Sequence, residues 1–594
     1  MYLDIGDYGI IGNGRTAALV GKNGSIDWAC FPYFHSPSVF GAILDDTIGG
    51  RFAIDLVDGE PMGQQYQDDT NVLETTMESD AGTIEIVDFM PQYVEEGDLV
   101  QPDEIHRLVR CTDGTGTIEV EFEPRFDYAR GETELRPVEE GCIATHGDES
   151  LSLVTEMDIE VDGDVATGRT ELDAGDELWL VSQYGEDDPD PVENRETRQT
   201  LEWTREYWRL WSSRCPYSGQ YQDAVRRSAL VLKLLAFEST GALVAAATTS
   251  LPEKPGGARN WDYRFNWIRD AVFSAWSLNQ LDYHELGIDF LDHLRQQLSP
   301  TLIPPVVDVH GEAVPDEVEL DHLEGYRGND PVRIGNEAGD QEQWDSYGAM
   351  IDGMYFSHRK LGGVDAEQYR TFVKPAVEHV SEIWDQPDHG IWEVRGGKRH
   401  FTTSKVWCWV ALDRGIKIAR GEGFRDDVER WKPVRESIRR AVMENGWSED
   451  LGAFSISYDN EALDASTLLF PLVGFLPADH PKMKQTIDAI EDNLRTGPLL
   501  YRYRPEAVFS DPIESGDSAF TTSSFWLVAD LARMGRVDDA TDYFESLLDY
   551  ANHLGLYAEE LDPHTGEQLG NVPQAYVHMG VINAAVELER AKQS

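Results

Sequence analysis

The sequence predicts a two-part molecule, β-rich over residues 1–190 and helical over residues 217–594, joined by a short linker with its own helix. Three observations carry this. Early segments alternate apolar and polar residues with a period of two, later ones repeat with the period of a helix, and an acidic Pro-containing stretch separates them. In the first part, Thr117 to Glu123 sets Ile118, Val120 and Phe122 between polar neighbours. Glu177 to Tyr184 is a second β-rich run beside the turn signal Ala174-Gly175-Asp176. Gly185 to Pro191 reads GEDDPDP, an exposed connection. Within the linker, 191–216, Leu201, Thr204, Trp208 and Trp211 fall on one helical face. In the second part, Val225, Ala229, Leu232 and Ala236 form one apolar stripe, and His578, Val581, Ile582, Ala585 and Leu588 form another. The residues between them accommodate about twelve helices of ordinary length with long loops.

Composition narrows the function classes. Against 109 Asp and Glu stand 50 Lys and Arg, a net charge of −59 over 594 residues, so phosphate backbones are repelled and nucleic acid is excluded as a partner. The acidity is diffuse, and only twelve of the fifty cations are Lys. This suits a high-salt cytosol, where a Debye length of a few Å removes the self-repulsion. Met1-Tyr-Leu-Asp4 has neither a basic nor an apolar leader region, and no apolar run is long enough to span a bilayer, so a cytoplasmic location away from membranes is expected. Cys30, Cys111, Cys142, Cys215 and Cys408 are scattered and odd in number, which implies no disulfide framework and no zinc knuckle. Asp158, Glu160, Asp162 and Gly163 imitate the opening of a calcium loop, but Arg169 stands where the bidentate carboxylate belongs. Neither a HExxH pair nor a Walker loop appears.

The informative segments place carboxylates and Arg among Trp residues. A sugar ring offers a weakly apolar face to indole and a rim of hydroxyls to charged groups, so this composition suits carbohydrate. A Trp-rich helix that fills the core is the competing account of any single segment. Arg259 to Asp270, RNWDYRFNWIRD, carries three Arg, two Asp and two Trp in twelve residues, more charge than core packing explains. Gly390 to Gly396, GIWEVRG, sets Glu393 beside Trp392. A carboxyl held against an indole is desolvated and favours the protonated form of a general acid. Gly555 to Pro563, GLYAEELDP, offers Glu559 and Glu560, of which only one is expected to enter a cleft because sequence neighbours point apart.

These three segments, with GNEAGDQEQWDSYG at Gly335 to Gly348, SKVWCWVALDRG at Ser404 to Gly415 and LGNVPQAYVH at Leu569 to His578, resemble glycoside hydrolase family 15, which holds glucoamylases, glucodextranases and trehalases. The opening Asp7 to Gly41 is similar to the N-terminal domain of the family's prokaryotic members. The resemblance implies an N-terminal β-sandwich and a catalytic (α/α)6 barrel of about twelve helices. It implies an inverting hydrolase without cofactor, with Glu393 as general acid and Glu559 as general base. Arg269, Asp270, Trp267 and Trp392 would bind the terminal glucose, with Glu560 as a further substrate contact. The expected activity is a glucoamylase-like release of β-glucose from maltooligosaccharides or α-glucan. The alternatives are an α,α-trehalase, an inverting disaccharide phosphorylase, and an inactive glycan-binding protein. Tyr33 and His35 stand where relatives often carry Arg and Asp, and Asp517 where a Glu is expected, which bears on substrate preference.

Overall fold

The computed structural model describes residues 2–186, 188–361, 364–504 and 518–593. Asp517 lies outside the described residues.

The N-terminal part is a β-sandwich of antiparallel strands whose two layers share one strand, Glu104–Phe122. Its first half pairs with Gly82–Phe89 and Glu177–Tyr184. Its second half pairs with Phe52–Leu56 and Val165–Asp173, after a register shift between Cys111 and Asp113 that lets the strand pass from one layer to the other. The period-two reading at 118–122 holds, with Ile118, Val120 and Phe122 inside. The linker helix Thr197–Ser212 does not float, because its Leu201 packs on Val87, Phe89 and Trp179 of the sheet.

Among the described residues the second part is a closed ring of inner helical segments: Ile268–Gln280, Asp345–Leu361, Thr402–Gly421, residues 465–472, Thr521–Arg533 and Ala575–Lys592. Each packs on the next, and the last packs on the first. Outer helices cover them: Gln222–Leu234, His284–Gln297, residues 366–383, Arg425–Asn445, Pro481–Leu494 and Val537–Leu548. This is the (α/α)6 barrel. Burial separates the two layers: Thr402–Gly421 buries 17 of its 20 residues, whereas Arg425–Asn445 buries 5 of 21. The stripe from Val225 ends sooner than its period suggested, since Ala236 already belongs to a two-residue strand with Phe237. No helix among the described residues is long and apolar enough to cross a membrane.

The two halves share one continuous apolar core. Trp28 of the sandwich donates from Nε1 to Ala247 O at 2.8 Å. Arg264, 1% exposed, reaches into the sandwich: Nη1 donates to Ser36 O at 2.8 Å, and Nη2 donates to Tyr128 Oη at 2.8 Å and to Asp262 Oδ2 at 2.6 Å. Much of the charge in RNWDYRFNWIRD is therefore a buried clamp between the halves. Tyr33 and His35 sit at the same junction, stacked on each other at 6.0 Å, with His310 against both rings and Phe265 against His35.

Candidate active site

The N-terminal ends of the inner helices converge on one mouth of the barrel, where their unpaired N–H groups add partial positive charge. A cleft opens there, with about 830 Å³ of empty space when its solvent-filled mouth is included. Its wall is built from the first residues of the helices starting at Ile268, Thr521 and Ala575 and from the loops carrying Glu253 to Trp267, Trp392 to Arg395, Arg502 and Glu559.

Six of the seven site residues read from the sequence line this cavity: Trp267, Arg269, Asp270, Trp392, Glu393 and Glu559. Glu560 does not. Its fully buried carboxylate turns behind the wall, where Oε1 accepts from Arg502 Nη2 at 2.8 Å and Oε2 accepts from Ser518 N at 2.9 Å. Glu560, expected as a substrate contact, is in this structure a partner of Arg502 and Ser518. Residues 560–561 form a short strand, and alternation sends the side chains of Glu559 and Glu560 to opposite faces.

Glu393 occupies the left-handed region at φ 55°, a conformation costly for a side chain with a Cβ and found where surrounding structure enforces it. Its Oε1 accepts from Trp267 Nε1 at 2.6 Å and from Gln343 Nε2 at 3.3 Å, and its backbone carbonyl accepts from Gln341 Nε2 at 3.2 Å. The indole that binds this carboxyl is thus Trp267, not its sequence neighbour Trp392. Burial raises the Glu393 pKa, opposed by the Arg269 charge and the Trp267 bond. Trp392 is fixed separately. Its Nε1 donates to Asp464 Oδ1 at 2.8 Å, and its ring meets Phe520 edge-on at 5.4 Å.

Arg269 lies between two carboxylates, donating from Nε to Asp270 Oδ1 at 3.1 Å and from Nη1 to Asp345 Oδ2 at 3.0 Å. All three side chains are buried, and Asp270 is left facing the cavity beside a fixed cation. Burial raises the Asp270 pKa against the Arg269 charge.

Glu559 is 2% exposed. Its Oε1 accepts from Tyr263 Oη at 2.7 Å, while its buried Oε2 meets no hydrogen-bond donor among the described residues. Burial first, then the nearby Glu253 charge, push its pKa up to about 8. The rings of Tyr263 and Trp267 meet edge to face at 5.5 Å. A chain of contacts, Glu393 to Trp267 to Tyr263 to Glu559, therefore runs along one wall and links the two carboxyls through the two rings. Further out, Arg395 and Arg333 lie over the Trp261 ring at 4.2 and 4.7 Å, so this indole is covered by guanidinium groups.

Several of these groups escaped the sequence reading. Tyr263 sits inside RNWDYRFNWIRD and Asp345 inside GNEAGDQEQWDSYG, where adjacent Trp and Asp residues drew attention instead. Glu253, Asp464 and Arg502 stand in segments without a Trp-carboxylate pairing and carried no local signal.

Residues 219–586 match the family model described as glycosyl hydrolases family 15, and residues 3–208 match the one described as trehalase-like, N-terminal. A protein named trehalase from Thermoplasma volcanium is 37% identical, with 99% of this chain and 94% of that protein covered. One of the same name from Mycolicibacterium smegmatis is 36% identical, covering 99% and 92%. A bacterial glucoamylase solved with acarbose superposes with a TM-score of 0.74 at 13% identity, over 99% of this chain and 94% of that one, which is a likeness of fold. The chain belongs to glycosyl hydrolases family 15 and is a glycoside hydrolase.

Proposed function

We propose that this hydrolase is an inverting α,α-trehalase. The observation that carries the reading is the pair of carboxyls, Glu393 and Glu559, brought by separate loops to one sugar-sized cavity and linked through the Trp267–Tyr263 ring pair. Glu393 protonates the glycosidic oxygen as the bond to C1 breaks. Glu559 takes a proton from the water that attacks C1 from the opposite face, an arrangement that calls for carboxyls about 6.5–9.5 Å apart. The former α-linked glucose leaves as β-glucose and the other as α-glucose. Asp270, charged and held by Arg269, binds hydroxyls of the reacting ring and helps to distort it toward the oxocarbenium-like state.

Full-length relatives named trehalase favour trehalose over the glucan expected from the motifs. The outer wall supports the same choice. Arg395 and Arg333 lie over the Trp261 ring there, which suits the hydroxyl rim of one further ring better than stacking of a long chain.

The test is incubation with trehalose and with maltotriose in strong salt, following the anomers of released glucose by proton NMR. Equal initial α- and β-glucose from trehalose is expected. Release from maltotriose alone would restore the glucoamylase reading, and dependence on added phosphate with formation of a glucosyl phosphate would indicate a phosphorylase. Glu393→Gln and Glu559→Gln should each lower turnover by about 10²-fold or more with the fold intact, because each removes one proton transfer at constant volume.

A further inference from the structure

Glu253 belongs to none of the aromatic segments, yet it is 1% exposed and lines the cavity. Its Oε2 accepts from Arg502 Nη2 at 2.7 Å and lies 3.2 Å from Arg259 Nε. Arg502 Nη2 also donates to Glu560 Oε1. The charged and titratable groups around Glu559 are thus Glu253, Glu560, Arg259, Arg502 and Tyr263. Among the described residues, Tyr263 is the one that bonds to its carboxyl. Arg259 pairs with Glu253 and Arg502 pairs with Glu253 and Glu560, and among the described residues Glu559 Oε2 meets no hydrogen-bond donor.

We propose that Glu253 is a positioning residue for hydrolysis: it holds Arg259 and Arg502 away from Glu559 and so keeps Glu559 Oε2 open to receive the proton of the attacking water. The proposal rests on the reading of Glu559 as general base. A guanidinium placed on a carboxylate lowers its pKa by about one to three units and occupies its lone pairs, and a carboxylate so paired is a poor base. Among the described residues, Glu253 and Glu560 both take Arg502 and Glu253 takes Arg259 as well, which leaves Glu559 between them bonded to Tyr263 instead of a guanidinium. The high proton affinity of Glu559 agrees with this arrangement.

The test uses Glu253→Gln in the full chain, which removes the charge that holds the two Arg side chains. The bell-shaped profile of kcat/KM against pH is expected to move to lower pH, one limb by about one unit, as Arg502 turns to Glu559. Glu253→Asp keeps the charge and is expected to keep the wild-type profile. A second reading needs no substrate. The folded protein retains the Glu559 proton over a pH window in which the unfolded chain has lost it, so that group's contribution makes Tm fall as pH rises from about 4.5 toward 8. At constant high salt, Glu253→Gln should flatten this fall, and should change nothing when Glu559→Gln is already present. An unmoved pH profile with an unchanged Tm slope, or a change of slope that persists in the Glu559→Gln background, would overturn the proposal. If the wild-type chain hydrolyses no α-glucoside, the functional reading fails, while the Tm series still decides the role of Glu253.

Discussion

Replacing Trp267 by Phe tests how the acid is set. The indole N–H donates to Glu393 Oε1 at 2.6 Å, and it favours the ionised carboxylate over the neutral acid. Phe keeps an aromatic ring in the wall and removes only the donor and part of the ring. A hydrogen bond to a charged group contributes about 1.5–3 kcal/mol net, and 1.36 kcal/mol corresponds to one pKa unit, so its loss raises the Glu393 pKa by about one to two units. Gln343 Nε2, already 3.3 Å from the same oxygen, can close in and offset part of this, which brings the expectation to about one unit. The two limbs of the kcat/KM profile are macroscopic values of the acid–base pair, and the maximum lies midway between them. Whichever limb belongs to Glu393, the maximum should therefore rise by about half a unit. The assay is glucose release from trehalose in strong salt across the acid and alkaline ranges, at subsaturating substrate. The height of the curve falls as well, because Trp267 lines the cavity, but only its position bears on the acid. A maximum that stays in place or moves to lower pH would refute the assignment of Glu393, or the direction in which Trp267 acts on it.

Other outcomes follow from the same structure. In the wild type the maximum should lie well to the alkaline side of the ordinary carboxyl value of 4.5, because burial raises both Glu393 and Glu559; an optimum near that value would contradict the geometry of both. Arg264→Met leaves Asp262 charged and buried between the halves, and breaking such a pair costs about 3–5 kcal/mol, measurable as a lowered denaturant midpoint with coincident loss of activity. With a net charge of −59, Tm should climb steeply as salt shortens the Debye length from about 10 Å at 0.1 M to about 3 Å at 1 M, and a Tm indifferent to salt would remove the halophilic reading.

The fold was readable where periodicity is a one-dimensional consequence of packing. Ile118, Val120 and Phe122 alternate because one face of their strand is wet, and Val225, Ala229 and Leu232 recur because one side of their helix meets the inner ring. The inner helices were less readable as such, since Thr402–Gly421 is buried nearly all round and has little amphipathic contrast to betray which way it faces. In the site, Glu393 and Glu559 stood out in the sequence because motifs that resemble the family's carry them, and both line the cavity. Adjacency misled once, since Trp392 precedes Glu393 but binds Asp464, whereas Glu559 and Glu560 point apart as sequence neighbours do. Charge density misled once, since Asp262 and Arg264 serve the junction rather than the sugar. Glu253 became visible only when folding brought it to Arg502, which lies 249 positions away.

The reach of Arg264 into the sandwich has a consequence for how such a protein can be rebuilt. Its guanidinium ends among Ser36 and Tyr128, while the same short segment supplies Tyr263 to one carboxyl of the cavity and Trp267 to the other. A chimaera that joins this barrel to a foreign partner would strand a cation one residue from Tyr263 and three from Trp267, groups that must be held within a fraction of an ångström. Exchange of modules, a common route to new specificity, is thereby restricted here: the N-terminal half has to travel with the barrel, and new substrates are reached by changing the rim that carries Trp261 and Arg395.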